Sequence, residues 1–135
     1  MKLALDSNLA VSSILFPKSV PGAVLSAWRA GNFEWACCDS QFHELSAALL
    51  QPRILSRIAH GAEPVMALML EIRAKCRWAR LPMPVPAVCR DPRDDFLFAL
   101  HDQGHADWIS SGDKVVLALK GRYPVLTPRE LIDRL

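Results

Sequence analysis

The sequence predicts an α/β protein in which a central parallel sheet lies between two layers of helices, a three-layer α/β/α arrangement. Short apolar segments that suit buried strands alternate along the chain with segments whose apolar residues recur at helical spacing. Alternating strands and helices favour parallel pairing, because each helix carries the chain back to the same edge of the sheet. A length of 135 residues suits a single domain covering residues 1–135.

The first half of the chain predicts two strands and four helices. Pro21 suits the first position of a helix that Gly31 ends, and Asp39 or Ser40 can cap the helix after the second strand. The expected strands are residues 2–6 and 33–38, and the expected helices are residues 8–15, 21–30, 40–50 and 52–59.

The second half predicts three strands and four helices. Apolar residues between Val65 and Cys76 repeat with a 3.6-residue period, and Thr127-Pro128 is typical of an N-cap and first helical turn. Prolines on alternate positions from Pro82 to Pro86 indicate an extended connector. The expected strands are residues 77–81, 106–110 and 123–126, and the helices are residues 63–76, 96–103, 114–119 and 128 onward.

Composition narrows the class of protein. A net charge of +2 indicates no bulk electrostatic capture of nucleic acid, so any RNA binding depends on local basic patches. The four cysteines have no metal-binding spacing and are expected as buried hydrophobic residues. No apolar run reaches the ~18 residues of a membrane span, and Asp6 comes too early for a signal peptide. We therefore expect a cytoplasmic protein that does not enter a membrane.

Acidic residues stand where predicted strands end. In parallel sheets, ligands bind outside the carboxyl ends of the strands, so these positions indicate a site. They are Asp6 after the first strand, Glu44 in the helix after the second, Asp91, Asp94 and Asp95 before the helix at residue 96, and Asp113 after the strand at residues 106–110.

Each of these residues also has a structural explanation. Asp6 can cap the first helix, Asp94 or Asp95 can cap the helix at residue 96, and Asp113 can be a turn residue. Glu44 alone suits a solvated helix face. Taken together, converging carboxylates without basic partners repel one another unless a cation lies between them. Oxygen ligands of this kind select Mg²⁺ or Mn²⁺, which can activate water and neutralise charge on a phosphate.

Four segments resemble the PIN-domain family in their family order. They are Leu5-Asp6-Ser7-Asn8, the segment Arg90-Asp91-Pro92-Arg93-Asp94-Asp95-Phe96-Leu97, the segment Asp107-Trp108-Ile109-Ser110-Ser111-Gly112-Asp113-Lys114, and Leu126-Thr127-Pro128 with Glu130-Leu131. The branch they resemble contains toxins of toxin–antitoxin systems. The resemblance implies a PIN fold, a metal-dependent endoribonuclease and an antitoxin partner.

By position, the resemblance assigns the catalytic and metal-binding roles to Asp6, Glu44, Asp95 and Asp113. Asp95 is preferred to Asp94 because Asp95-x-x-Phe98-Ala99 is similar to the family's Asp-x-x-Ile-Ala. The expected supporting residues are Asn8, Ser111, Asp94 and Asp91. One departure is Val115, which stands where the family often has a further aspartate and which therefore favours one metal ion or weak binding.

Two other readings stay open. The first is a catalytically attenuated PIN fold that binds RNA or protein. The second is a receiver-like phosphoryl-transfer domain, which is disfavoured because position 8 is Asn and the Asp-x-Asp pattern is therefore absent. For RNA contacts the sequence offers several candidates, and Phe16, Leu15 and the helix containing Trp28 are candidates for a partner or homodimer surface. The RNA candidates are Lys18, Arg53, Arg57, Arg90, Arg93, Lys114, Trp108 and Phe16.

Overall fold

The computed structural model describes all 135 residues and confirms the predicted α/β class. Five parallel strands form one sheet in the order β3-β2-β1-β4-β5. The strands are β1 (Lys2–Leu5), β2 (Glu34–Cys37), β3 (Arg77–Trp78), β4 (Trp108–Ser110) and β5 (Val125–Leu126). The helices are α1 (Ser7–Leu15), α2 (Val20–Arg29), α3 (Asp39–Leu49), α4 (Pro52–Leu55), α5 (Ala62–Lys75), α6 (Asp95–Asp102), α7 (Lys114–Leu117) and α8 (Pro128–Arg134).

Each predicted element is present, but all five strands and two helices, α4 and α7, are shorter than expected. Helix α4 ends at Leu55, α7 ends at Leu117, and β3 has two residues where five were predicted. Strand β3 lies at the sheet edge and pairs only with β2, so its ladder stops where β2 stops; one more bond, from the Ala79 amide to the Cys37 carbonyl at 2.8 Å, follows it. The Pro-rich connector after it contains no helix or strand, but it bends at Met83 and Pro84 and so is not extended throughout as predicted.

The core lies on both faces of the sheet. Leu3 and Leu5 of β1 pack into one buried cluster with residues of α2, α3 and α5, whereas Ala4 packs into a second cluster with residues of α6. This alternation buries β1 on both faces, as expected for a central parallel strand. Trp28, considered above for a partner surface, is buried in the first cluster and packs edge-on against Trp35.

The N-termini of α8 and α3 test the helix caps that the sequence predicts. Thr127 caps α8, as predicted, and it does so in a full capping box with Glu130. The prediction for α3 was wrong, because its N-cap is Cys38 and no side chain accepts from its first amides. The thiol of Cys38 instead lies 3.3 Å from the Ser40 hydroxyl. All four cysteines are buried and free, as predicted.

No single helix is long and apolar enough to cross a membrane; α1 and α2 pass that test only as a pair, bent by 98°.

The strand register places the carboxyl ends of β1 and β4 side by side. Leu5 of β1 is the partner of Ser110 of β4, and the Asp6 amide donates to the Ser110 carbonyl at 3.0 Å. The next residue on each strand is therefore adjacent to its counterpart, which brings Asp6 beside Ser111 at the carboxyl edge of the sheet. Residues far apart in sequence meet here because the two strands are neighbours at the centre of the sheet.

Candidate active site

Asp6 is held rigidly between β1 and α1. The side chain is 3 % exposed, its Oδ1 accepts from the Asn8 amide at 3.1 Å, and its Oδ2 accepts from the Ser111 hydroxyl at 2.6 Å. The first bond caps α1, so the capping explanation considered for Asp6 holds. The second bond ties the carboxylate to β4. Burial raises the pKa of Asp6 above its ordinary value, although both hydrogen bonds act to lower it.

Ser111 links two of the predicted site residues. Its hydroxyl donates to Asp6 and accepts from the Asp113 backbone amide at 3.0 Å. The Asp113 Oδ1 in turn accepts from the Val115 amide at 3.0 Å and caps α7. Both carboxylates thus serve as caps and face the same edge of the sheet, since α1 and α7 each begin directly after a central strand.

Asp94 lies inside the same group. It is 8 % exposed, and its Oδ2 is buried without any hydrogen-bond partner. Burial first, and then the negative charges of Asp6, Asp91, Asp113 and Glu44, together raise the pKa of Asp94 to about 7. A carboxylate in this state is costly when ionised, so the position favours a cationic ligand or a proton.

Asp95 points to a different place. Its Oδ1 accepts from the backbone amides of Val88 and Cys89, at 3.0 and 2.6 Å, and so anchors the connector before α6. Neither Asp94 nor Asp95 caps α6 with its side chain, contrary to the capping alternative. In the sequence, only the family motif distinguished Asp95 from Asp94. In the structure, the two side chains have different surroundings.

Glu44 and Asp91 lie at the exposed rim. The pKa of Glu44 is raised, first by partial burial and then by the charge of Asp6, while Arg93 acts against this. Asp91 pairs with Arg93 at 3.0 Å and caps the short turn before α6, which lowers the pKa of Asp91. The sequence reasoning assumed that the group has no basic partner. That assumption was wrong, because Arg93 pairs with Asp91 on one side of the group.

The structure thus places Asp6, Glu44 and Asp113 close enough to Asp94 for their charges to raise its pKa, with Asp91 beside Arg93 at the rim. No three His, Cys, Asp or Glu side chains form a ready-made metal cage. An all-oxygen donor set with one unpartnered buried carboxylate oxygen nevertheless suits Mg²⁺ or Mn²⁺, because Mg²⁺ is commonly held by one or two carboxylates and several waters.

A cleft of about 300 Å³ opens beside this group. It is lined mainly by polar residues and by two prolines, and we call it the acidic cleft: Asp6, Asn8, Ser12, Pro21, Asp113 and Pro128. Asn8 is exposed in it and contributes its backbone amide to Asp6, whereas a side-chain bond from Asn8 to a carboxylate is not formed. The cleft gives solvent and ligands access to Asp6 and Asp113.

Gln41 is a residue that the sequence reasoning missed. It is fully buried on α3, and its Nε2 donates to the Leu5 carbonyl at 2.5 Å and, more weakly, to the Ser7 hydroxyl at 3.4 Å. These bonds join the helix that carries Glu44 to the turn that carries Asp6. The signal was present, because Gln41 is a polar residue in line with Leu45 and Leu49 on the buried stripe of α3.

Two aromatic candidates for RNA contact, Trp108 and Phe16, each have an arginine near the ring. Arg134 stacks on Trp108 at 4.3 Å, and Arg57 lies 5.9 Å from the centre of the exposed Phe16 ring. Trp108 therefore offers little free surface, whereas Phe16 and Arg57 stay accessible together.

Fold and site define an all-parallel α/β protein with a carboxylate group at the carboxyl end of its two central strands. The family model described as a PIN domain matches residues 2–115, so the chain belongs to the PIN-domain family, a family of nucleases whose members typically bind divalent metals. No curated protein and no solved structure matches the chain.

Proposed function

We propose that this protein is a Mg²⁺- or Mn²⁺-dependent endoribonuclease that cleaves single-stranded RNA, with Asp6, Glu44, Asp94 and Asp113 as its site residues. The observation that carries the proposal is Asp94, whose buried oxygen has no partner inside a group of carboxylates that raise its pKa. Structural aspartates are normally paired, so an unpaired one among like charges is a position prepared for a cation.

This assignment places Asp94 where the sequence motif favoured Asp95. Asp95 spends one oxygen on two backbone amides, which suits a structural anchor, while Asp94 is electrostatically coupled to the three other residues. Asp6, Glu44 and Asp113 keep the roles that the resemblance gave them. Ser111 is proposed as a positioning residue, because its single hydroxyl orients Asp6 and fixes the loop of Asp113.

The residues of the chain would act by binding, orientation and charge. Asp6 is fixed by two hydrogen bonds, so it would present the same lone pairs to a ligand in every cycle. Arg93, at the rim beside Asp91, is placed to attract a phosphate toward the group. A bound divalent ion would supply the charge neutralisation on the phosphodiester and the acidified water that hydrolysis needs. No serine, cysteine or histidine nucleophile is then required.

The toxin role and its partner extend the proposal. A cleft of about 420 Å³ lies between α1, α2 and the chain after α4, with apolar walls from Ile14, Leu15 and Leu25. Phe16, which is 51 % exposed, lies directly after α1. These surfaces suit an apolar antitoxin segment whose arginine would enter the acidic group, since arginine stays charged when desolvated and binds carboxylates through two hydrogen bonds. A homodimer is the competing use of the same surface.

The alternative function is an attenuated PIN fold that binds RNA or protein without cleaving it. Val115 supports it, because no carboxylate is available at that position to complete a second metal site. Under this alternative the acidic group would still bind metal, but RNA would stay intact.

The decisive experiment compares wild type with Asp6→Asn on single-stranded RNA in Mn²⁺, with EDTA samples as the blank. Asp133→Asn is the matched control, because Asp133 is an exposed aspartate of α8 outside the group. We expect cleavage by wild type and Asp133→Asn only. Equal cleavage by wild type and Asp6→Asn would overturn the mechanism, and metal binding without cleavage by wild type would favour the attenuated fold.

A further inference from the structure

A second cleft lies at the carboxyl ends of β2 and β3, whereas the acidic cleft lies at those of β1 and β4. It has a volume of about 460 Å³ and lies between the start of α3 and the chain that leaves β3. We call it the edge cleft, and its principal walls are Ser40, Trp78, Arg80, Leu81, Met83 and Val85.

Helix α3 links the edge cleft to the acidic group, because it carries residues of both. Ser40 precedes Glu44 by four residues, so the two side chains lie on the same face of the helix one turn apart. Strand β2, which leads into the edge cleft, is the direct neighbour of β1, which leads into Asp6. With strands about 5 Å apart, the edge cleft and the acidic cleft lie within a few nucleotides of each other across the sheet edge.

The chemistry of the edge cleft suits a nucleotide. Met83 is 82 % exposed, and Trp78 is 37 % exposed although Arg73 lies 5.3 Å from the centre of its ring, so apolar surface is available to solvent. Arg80 is exposed and forms no ion pair, so its guanidinium is free for a phosphate. Single-stranded RNA is held by this combination of apolar stacking surface and cationic groups. Asp39 also lines the cleft and would direct phosphates toward Arg80.

We propose that the edge cleft binds the base of a nucleotide next to the scissile phosphodiester, and that Arg80 pairs with that nucleotide's phosphate. The inference rests on the proposed RNA-cleaving function and adds to it a subsite that sets base preference and holds the strand. RNA would then cross the carboxyl edge of the sheet from the acidic cleft, over the carboxylates, to the edge cleft. Such a path is open at both ends and accepts internal positions of a strand.

Binding is measured separately from cleavage. Fluorescence anisotropy with fluorescein-labelled oligouridylate and oligoadenylate is recorded on Asp6→Asn protein in Mg²⁺, alone and combined with Arg80→Ala or Met83→Glu. Met66→Glu is the matched control, because Met66 is 52 % exposed on α5, away from both clefts. Both cleft substitutions are at exposed positions, so folding is expected to survive.

We expect Arg80→Ala and Met83→Glu each to raise Kd about tenfold or more, and Met66→Glu to leave it within about twofold. If the edge cleft sets base preference, the Asp6→Asn protein should bind the two oligonucleotides with different affinities, and adding Met83→Glu should remove that difference. Unchanged affinity in both cleft variants would overturn the subsite even if wild type cleaves RNA, and so would RNA binding too weak to measure. Weakened binding in the variants without cleavage by wild type would support the subsite and overturn only the proposed nuclease activity.

Discussion

Replacing Asp94 by Asn should stabilise the metal-free protein. The pKa of Asp94 is raised from 3.8 to about 7 in the folded chain, so the folded state binds the Asp94 proton more tightly than the unfolded state does. Because a tenfold change in proton affinity is worth about 1.4 kcal/mol, ionising Asp94 costs the fold up to about 4 kcal/mol. Local relaxation and water reduce this, and we expect a gain of about 1–3 kcal/mol for Asn at pH 8.

The sign of the pH dependence follows from the same shift. The folded state binds more protons than the unfolded state between pH ~4 and ~7, so wild-type stability falls as pH rises through that window. Below it the carboxyl is protonated in both states, and the advantage of Asn disappears. Glu44 and Asp6, whose pKa values are also raised, leave a smaller slope of the same sign in the variant.

The assay is thermal unfolding of wild type and Asp94→Asn at pH 5 and pH 8, in EDTA and in Mn²⁺. In EDTA at pH 8 the variant should melt about 3–10 °C higher, and at pH 5 the gap should narrow. Mn²⁺ should raise the melting temperature of wild type and reverse the order, since the variant lacks a ligand charge. A variant that melts lower than wild type in EDTA at pH 8 would refute the reasoning.

Three further predictions address the structural residues. Asp95→Ala should lower the unfolding free energy by about 2–4 kcal/mol in urea titrations, because two backbone amides of the connector lose their acceptor; stability equal to wild type would return Asp95 to the list of site candidates. Gln41→Met should cost about 1–3 kcal/mol by the same measurement and weaken Mn²⁺ binding in calorimetry, since α3 is no longer bonded to the Asp6 turn; unaltered Mn²⁺ affinity would limit Gln41 to packing. Thr127→Ala should cost about 1 kcal/mol and leave Mn²⁺ affinity unaltered, because the capping box lies on α8, and a change in affinity would show that α8 acts on the site.

The strands and helices were predictable because local pattern determines them. Apolar periodicity located α5, and the Thr127-Pro128 pair located α8 to the residue. The site was predictable only to the level of its strand ends. Which of Asp94 and Asp95 turns inward depends on the connector from Val88, whose amides capture Asp95, and no local pattern carries that information. The pairing of Arg93 with Asp91, by contrast, joins near neighbours in the sequence, and the sequence reasoning overlooked it.

The hydrogen bond between Ser111 and Asp6 determines when, during synthesis of the chain, this part of the site can form. A ribosome makes Asp6 among the first residues and Ser111 late, and the two meet only when β4 takes its place beside β1. Contacts between such distant segments form late in folding, because closing a long loop must precede them. A nascent chain that has not yet released β4 therefore carries Asp6 without its partner and without Asp113. The candidate site is therefore incomplete until β4 and the segment that carries Asp113 have been translated and β4 has joined the sheet.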